Sequence, residues 1–98
     1  MLNHALTIRA ATPRDADTLR RLAALDRRPQ PRGEVLLAER DGVALAAIPL
    51  TSGRVITDPC HPTVEAVHLL RHRRYRLLRP GGDVGLAHTL LGRLAPTT

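Results

Sequence analysis

From Leu6 to Ala10 the side chains alternate, with Leu6, Ile8 and Ala10 apolar and Thr7 and Arg9 between them. A period of two places alternate residues on opposite faces and predicts a short half-buried strand. The period then lengthens. Ala16, Leu19, Leu22, Ala23 and Leu25 recur mostly at spacings of three and four, with Arg14, Asp17, Arg20 and Arg21 mostly on the other side, which predicts a helix packed along one stripe. Its start is marked by Thr12 at the N-cap, Pro13 at the first helical position and Asp15 three residues after Thr12, a relaxed capping box. Residues 27 to 33, RRPQPRG, end it, because two prolines and a glycine suit an extended connector.

The runs EVLLAER and VALAAIPL flank Asp41-Gly42, a strong hairpin signal, and predict an antiparallel pair over 34–40 and 43–50. Pro49 cannot donate to a ladder, so the end of the second strand is expected at an edge or a bulge. TSG then turns the chain into a third strand of this meander, RVITDP. From Thr63, an N-cap just after Pro62, VEAVHLLRHRRYRLLR runs without a breaker to Pro80 and sets Val64, Val67, Leu70 and Leu77 roughly along one side. Glu65 in its first turn and Arg71, Arg73, Arg74, Arg76 and Arg79 towards its end complement the helix dipole. The predicted fold class is α/β in the α+β sense: a four-stranded, mainly antiparallel sheet in the order β-α-β-β-β-α over residues 1–79. A Gly/Pro-containing tail follows over 80–98, with one weak helix near 85–94.

Composition narrows the core. The 98 residues include no Phe or Trp and one aromatic, Tyr75, so Leu, Ala, Val and Ile must fill the interior, and burial against a second copy of the chain would help. The net charge is +6, a footprint that invites nucleic acid, but every one of the fifteen basic residues is Arg, as a GC-rich coding sequence would give without any selected partner. A single cysteine, Cys60, cannot form an internal disulfide and suits a reducing cytoplasm. The start, MLNHALTIRAAT, has no apolar run of the length a signal peptide needs, and no segment approaches the ~18 apolar residues of a membrane span, so no membrane contact is expected.

In its order of elements the chain resembles the N-terminal and central part of the GNAT-type N-acetyltransferases. TIRAATPRDADTLRRLAALD is similar to their first strand and helix, and VLLAERDGVALAAIPL to their central hairpin. The resemblance implies that the loop after the fourth strand would hold the pyrophosphate of acetyl-CoA through a pattern Arg/Gln-x-x-Gly-x-Gly/Ala, with bare amides and a helix N-terminus facing the anion. Here that loop is DPCHPT. It lacks glycine and a leading Arg or Gln, Pro59 and Pro62 each remove an amide, and Asp58 adds negative charge. A fragment beginning RPGGDVG has the glycines but follows a helix and has the wrong spacing. The later strands that would bring the proton donor for the leaving thiolate have no counterpart, and Tyr75 is expected as a packed aromatic rather than a general acid.

The expectation is therefore a degenerate acetyltransferase-like domain, non-catalytic, without a cofactor, that binds a protein partner or a second copy of itself. An acyl-CoA-dependent N-acetyltransferase is the first alternative, with acetyl-CoA in a cleft lined by Ile56, Thr57, Thr63 and Val64. An Arg-mediated nucleic-acid binder using Arg71, Arg73, Arg74 and Arg76 is the second, although Leu77 and Leu78 interrupt that stripe and no nucleic-acid-binding signature accompanies it. His68 and His72 share a helix face, but Cys60 and His61 lie about 10 Å away along the axis by helical rise, so no metal is expected.

Overall fold

A computed structural model describes residues 5–79 of the chain; the expected weak helix near 85–94 and the glycines after Pro80 lie outside them. Strand β1, Thr7–Ala10, pairs antiparallel with β2, Val35–Arg40, Thr7 opposite Glu39 and Ala10 opposite Leu36. β2 pairs in turn with β3, Val43–Pro49, through the predicted Asp41-Gly42 turn. Both turn residues are left-handed, with φ of 53° and 77°, which is the type I′ geometry that matches the twist of a two-residue hairpin. β4 is shorter than RVITDP suggests. Ile56–Thr57 alone pair, opposite Ala47 and Ala46, and complete an antiparallel sheet in the order β1-β2-β3-β4.

The hairpin ladder slips by one residue. Ala38 faces Ala46 but Glu39 faces Ala44, so Leu45 is an extra residue on β3 and forms a β-bulge. The amide of Leu50 donates to the carbonyl of Glu34 on the β2 side, so the alternate position, Pro49, points to the side that β4 no longer reaches. A proline there removes no ladder bond, which is the edge expectation met inside a central strand.

Thr12 and Asp15 close the capping box: the Asp15 carboxylate accepts from the Thr12 amide at 2.7 Å and Thr12 Oγ1 from the Arg14 amide at 3.3 Å. Residues Pro13–Asp15 form a tight 3₁₀ turn before α1, Ala16–Leu25. Arg9 reaches across from β1 with a bidentate contact to Asp15, at 2.8 and 2.9 Å, and a second to Glu39 at 2.7 Å. These bonds hold the Asp15 carboxyl well below the usual carboxylate range and the Arg9 guanidinium above its own. Leu19, Leu22 and Ala23 of α1 pack on Val35, Leu37, Ala47 and Ile56, while Ala16 and Leu25, the two ends of the predicted stripe, are exposed.

Helix α2, Val64–Leu78, covers the opposite face with Ala66, Leu70 and Leu77, against Leu36, Ala38, Leu45, Ala46 and Ile48. Both faces of β2 are thus buried, which explains its near-continuous apolar run. The predicted α2 stripe needs correction. At 3.6 residues per turn Val64 lies about 160° round the helix from Ala66 and Val67 about 100°. Accordingly Val64 is 87% exposed and Val67 half-buried. Tyr75, expected to pack, is likewise on the outer face, 64% exposed.

Candidate functional site

The segment joining β4 to α2 is where an anion-binding loop would sit, and its Asp58, Cys60 and His61 amides are already engaged. The Asp58 amide donates to the carbonyl of the bulge residue Leu45 at 2.8 Å, which draws the Asp58 side chain inward until the residue is 2% exposed. Its carboxylate then accepts from the Cys60 amide at 2.8 Å and from Arg21 Nη1 at 3.4 Å, and is bonded to His61 Nδ1 at 3.0 Å. The His61 amide donates to the Asp58 carbonyl at 3.2 Å, closing the turn. Arg21 arrives from α1 and also donates to the carbonyl of Ala44 at 3.2 Å, just before the bulge. The Cys60 amide is the main cause that lowers the Asp58 pKa; burial opposes it, and His61 and Arg21 add to the lowering. The loop therefore encloses an anion of its own.

The four cleft candidates are not gathered in one place. Ile56 is buried under α1, and its neighbour Thr57 donates its amide outward to Asp26 Oδ2 at 3.1 Å, so the Asp26 side chain caps the sheet edge there. Thr63 is half-buried at the start of α2 and makes no side-chain cap, and Val64 points outward beside Leu6, Pro62 and His68. Ile56 and Val64 line different depressions.

The basic candidates separate in the same way. Arg71 is exposed next to Val64, Val67 and His68. Arg73 and Arg76 are half-buried. Arg74 belongs to the fold: its Nε donates to the Leu50 carbonyl at 2.8 Å and its Nη2 to that of Thr51 at 3.4 Å, with the guanidinium lying over Gly53. Cys60 is exposed with a free thiol, and among the described residues no three of His, Cys, Asp and Glu gather round one point. Nor is any described helix long and apolar enough to cross a membrane.

Sequence reasoning noted the charge of Asp58 but missed its partners. Arg21 is thirty-seven residues away, and the bulge that brings the two together leaves no mark in the alternation of an all-apolar strand. Comparison with family models, with curated proteins and with solved structures returns no match.

Proposed function

We propose that this chain is a non-catalytic binding domain of acetyltransferase-like element order, and that it works by self-association through the outer face of α2. The observation that carries this reading is the second apolar stripe of that helix. Val64 and Tyr75 are largely exposed on the side turned away from Ala66 and Leu70, half-buried Val67 and Leu78 flank that side, and exposed His68 and Arg71 lie between them. Leu6 and Pro62 extend the apolar surface beside Val64. Such a stripe costs solubility unless something covers it, and a core built without Phe or Trp gains from the added burial. In an antiparallel pair of α2 helices with Val64 against Tyr75 of the partner subunit, Arg71 falls opposite the partner's His68, with its own equivalent about 4.5 Å further along the axis.

An acyl-CoA enzyme is the weaker reading, because its pyrophosphate would have to displace Asp58 from the Cys60 amide and Arg21. A nucleic-acid surface is weakened by Arg74, whose guanidinium is committed to loop carbonyls.

Sedimentation equilibrium tests the proposal. A dimer that dissociates on dilution is expected, and Val64→Glu should convert it to a monomer whose thermal midpoint equals that of wild type at dilutions where both are monomeric, since an exposed valine contributes little to the fold of one chain. A wild-type chain that stays monomeric at high concentration overturns it.

A further inference from the structure

On the α1 side of the sheet, away from α2, a cavity of about 260 Å³ opens between the connector that follows α1 and the loop joining β3 to β4. Pro49 and Ile56 form an apolar part of its wall, and the exposed residues Arg28, Arg32 and Arg54 line it from both loops. Arg28 has a carboxylate within reach, Asp26 at 3.4 Å, and that carboxylate also accepts the Thr57 amide. Arg32 and Arg54 pair with no carboxylate among the described residues. With Arg28 partly compensated by Asp26, the two guanidinium groups of Arg32 and Arg54, so unpaired, leave this concavity electropositive and suited to an anion.

The walls are held before any ligand arrives. Arg27 has a φ of 53°, a left-handed backbone rare for a residue with a Cβ, and it closes α1 by a pair of bonds: its own amide to the Ala24 carbonyl at 3.2 Å and the Arg28 amide to that of Ala23 at 3.0 Å. This reversal delivers Arg28 to the cavity. Pro29 and Pro31 stiffen the connector beyond it. On the opposite wall Arg74 grips the Leu50 and Thr51 carbonyls from behind, and the Gly53 amide returns to the Pro49 carbonyl at 3.0 Å, which fixes the turn carrying Thr51, Ser52 and Arg54. A pre-ordered site loses less entropy on binding.

We infer that this cavity binds a small organic phosphate, a phosphate monoester whose oxygens take the guanidinium forks of Arg32 and Arg54 while its carbon portion lies on Pro49 and Ile56. Guanidinium matches the oxyanion geometry in pairs of parallel N–H···O bonds, and the Thr51 and Ser52 hydroxyls add neutral donors at the rim. The site shares no residue with the proposed α2 interface, so either can fail without the other.

Phenyl phosphate is the probe, titrated by calorimetry at constant ionic strength, with amide chemical shifts followed in parallel. Saturable binding of one equivalent per chain is expected, with shifts confined to residues 28–32 and 49–56. An Arg32→Gln/Arg54→Gln double variant should bind at least about tenfold more weakly, the loss of two charge-assisted contacts. Arg71→Gln, on the other side of the molecule, should bind as wild type does. Absence of saturable binding, shifts that map elsewhere, an equal loss in Arg71→Gln, or equal affinity for benzoate would each overturn the inference. The shift map uses the wild-type chain, so it decides the matter even if the double variant folds poorly.

Discussion

Replacing Asp58 by asparagine changes one atom of a side chain on which three donors converge, the Cys60 amide, His61 and Arg21. The new side chain would keep an oxygen for the Cys60 amide, but its NH₂ would take the place of the Oδ2 that faces His61 Nδ1 at 3.0 Å and Arg21 Nη1 at 3.4 Å. A hydrogen bond to a carboxylate contributes about 1.5–3 kcal/mol and its neutral counterpart about 1, so the bond from the Cys60 amide alone loses about 1 kcal/mol. The Arg21 contact becomes donor against donor; because Arg21 is roughly half exposed, its share is held under about 1 kcal/mol. A total of about 1–2 kcal/mol lowers the melting temperature of a domain this size by about 4–16 °C, read by circular dichroism at neutral pH. The sign of the pH dependence follows from the lowered Asp58 pKa. Its contribution is complete above the ordinary carboxylate value near 4 and is lost as pH falls through the lower folded value, so the gap between wild type and variant should close in acid. Asp58→Ala goes further and leaves an anion-sized gap lined by the Cys60 amide, Arg21 and His61. Formate should raise the melting temperature of that variant and leave wild type unmoved. A neutral-pH difference of under about 2 °C, or a gap that persists in acid, would show that Asp58 does not hold the loop.

Two further changes test the backbone. Gly53→Ala meets a φ of 69° and sets a Cβ 3.0 Å from the Arg74 Cζ, so chemical denaturation should show a loss of about 1–2 kcal/mol, with the Arg74 brace partly displaced. Arg27→Gly removes the left-handed strain at the end of α1 and should stabilise by up to about 1 kcal/mol, with urea midpoints shifted upward at unchanged slope; a loss would mean that the Arg27 side chain does more than tolerate its conformation.

The parts of this fold that could be read from sequence are those fixed over a few residues. Asp41-Gly42 selects its turn, Thr12 and Asp15 cap one helix, and the shift from a period of two to one near 3.6 separates β1 from α1. The α2 stripe misled because Val64 lies on a face that the core does not use and Val67 only at the core's edge, and hydrophobicity alone does not say which of two faces turns inward. The loop after β4 was legible in what it lacks, a run of free amides, and illegible in what replaces them. Asp58, Arg21 and the Leu45 bulge are brought together by the sheet, and the arginines of the α1-side cavity come from loops distant in sequence. Contacts of this kind depend on tertiary geometry, which local propensity does not contain.

The meander order of the sheet also bears on how the chain reaches its native state. Every strand pairs with the one before or after it, so the β2–β3 and β3–β4 pairings close short loops, whereas β1 must reach β2 across α1 and the connector, which gives the intermediate contact order of a mixed domain. The β2–β3 hairpin, closed by its two-residue turn, can form within about 1–10 μs, yet both of its faces are apolar and neither helix need have docked by then. During that interval the central strands expose a sticky ribbon to other chains. How quickly α1 and α2 cover it, more than the final stability, sets the yield of soluble protein when the chain is refolded at high concentration.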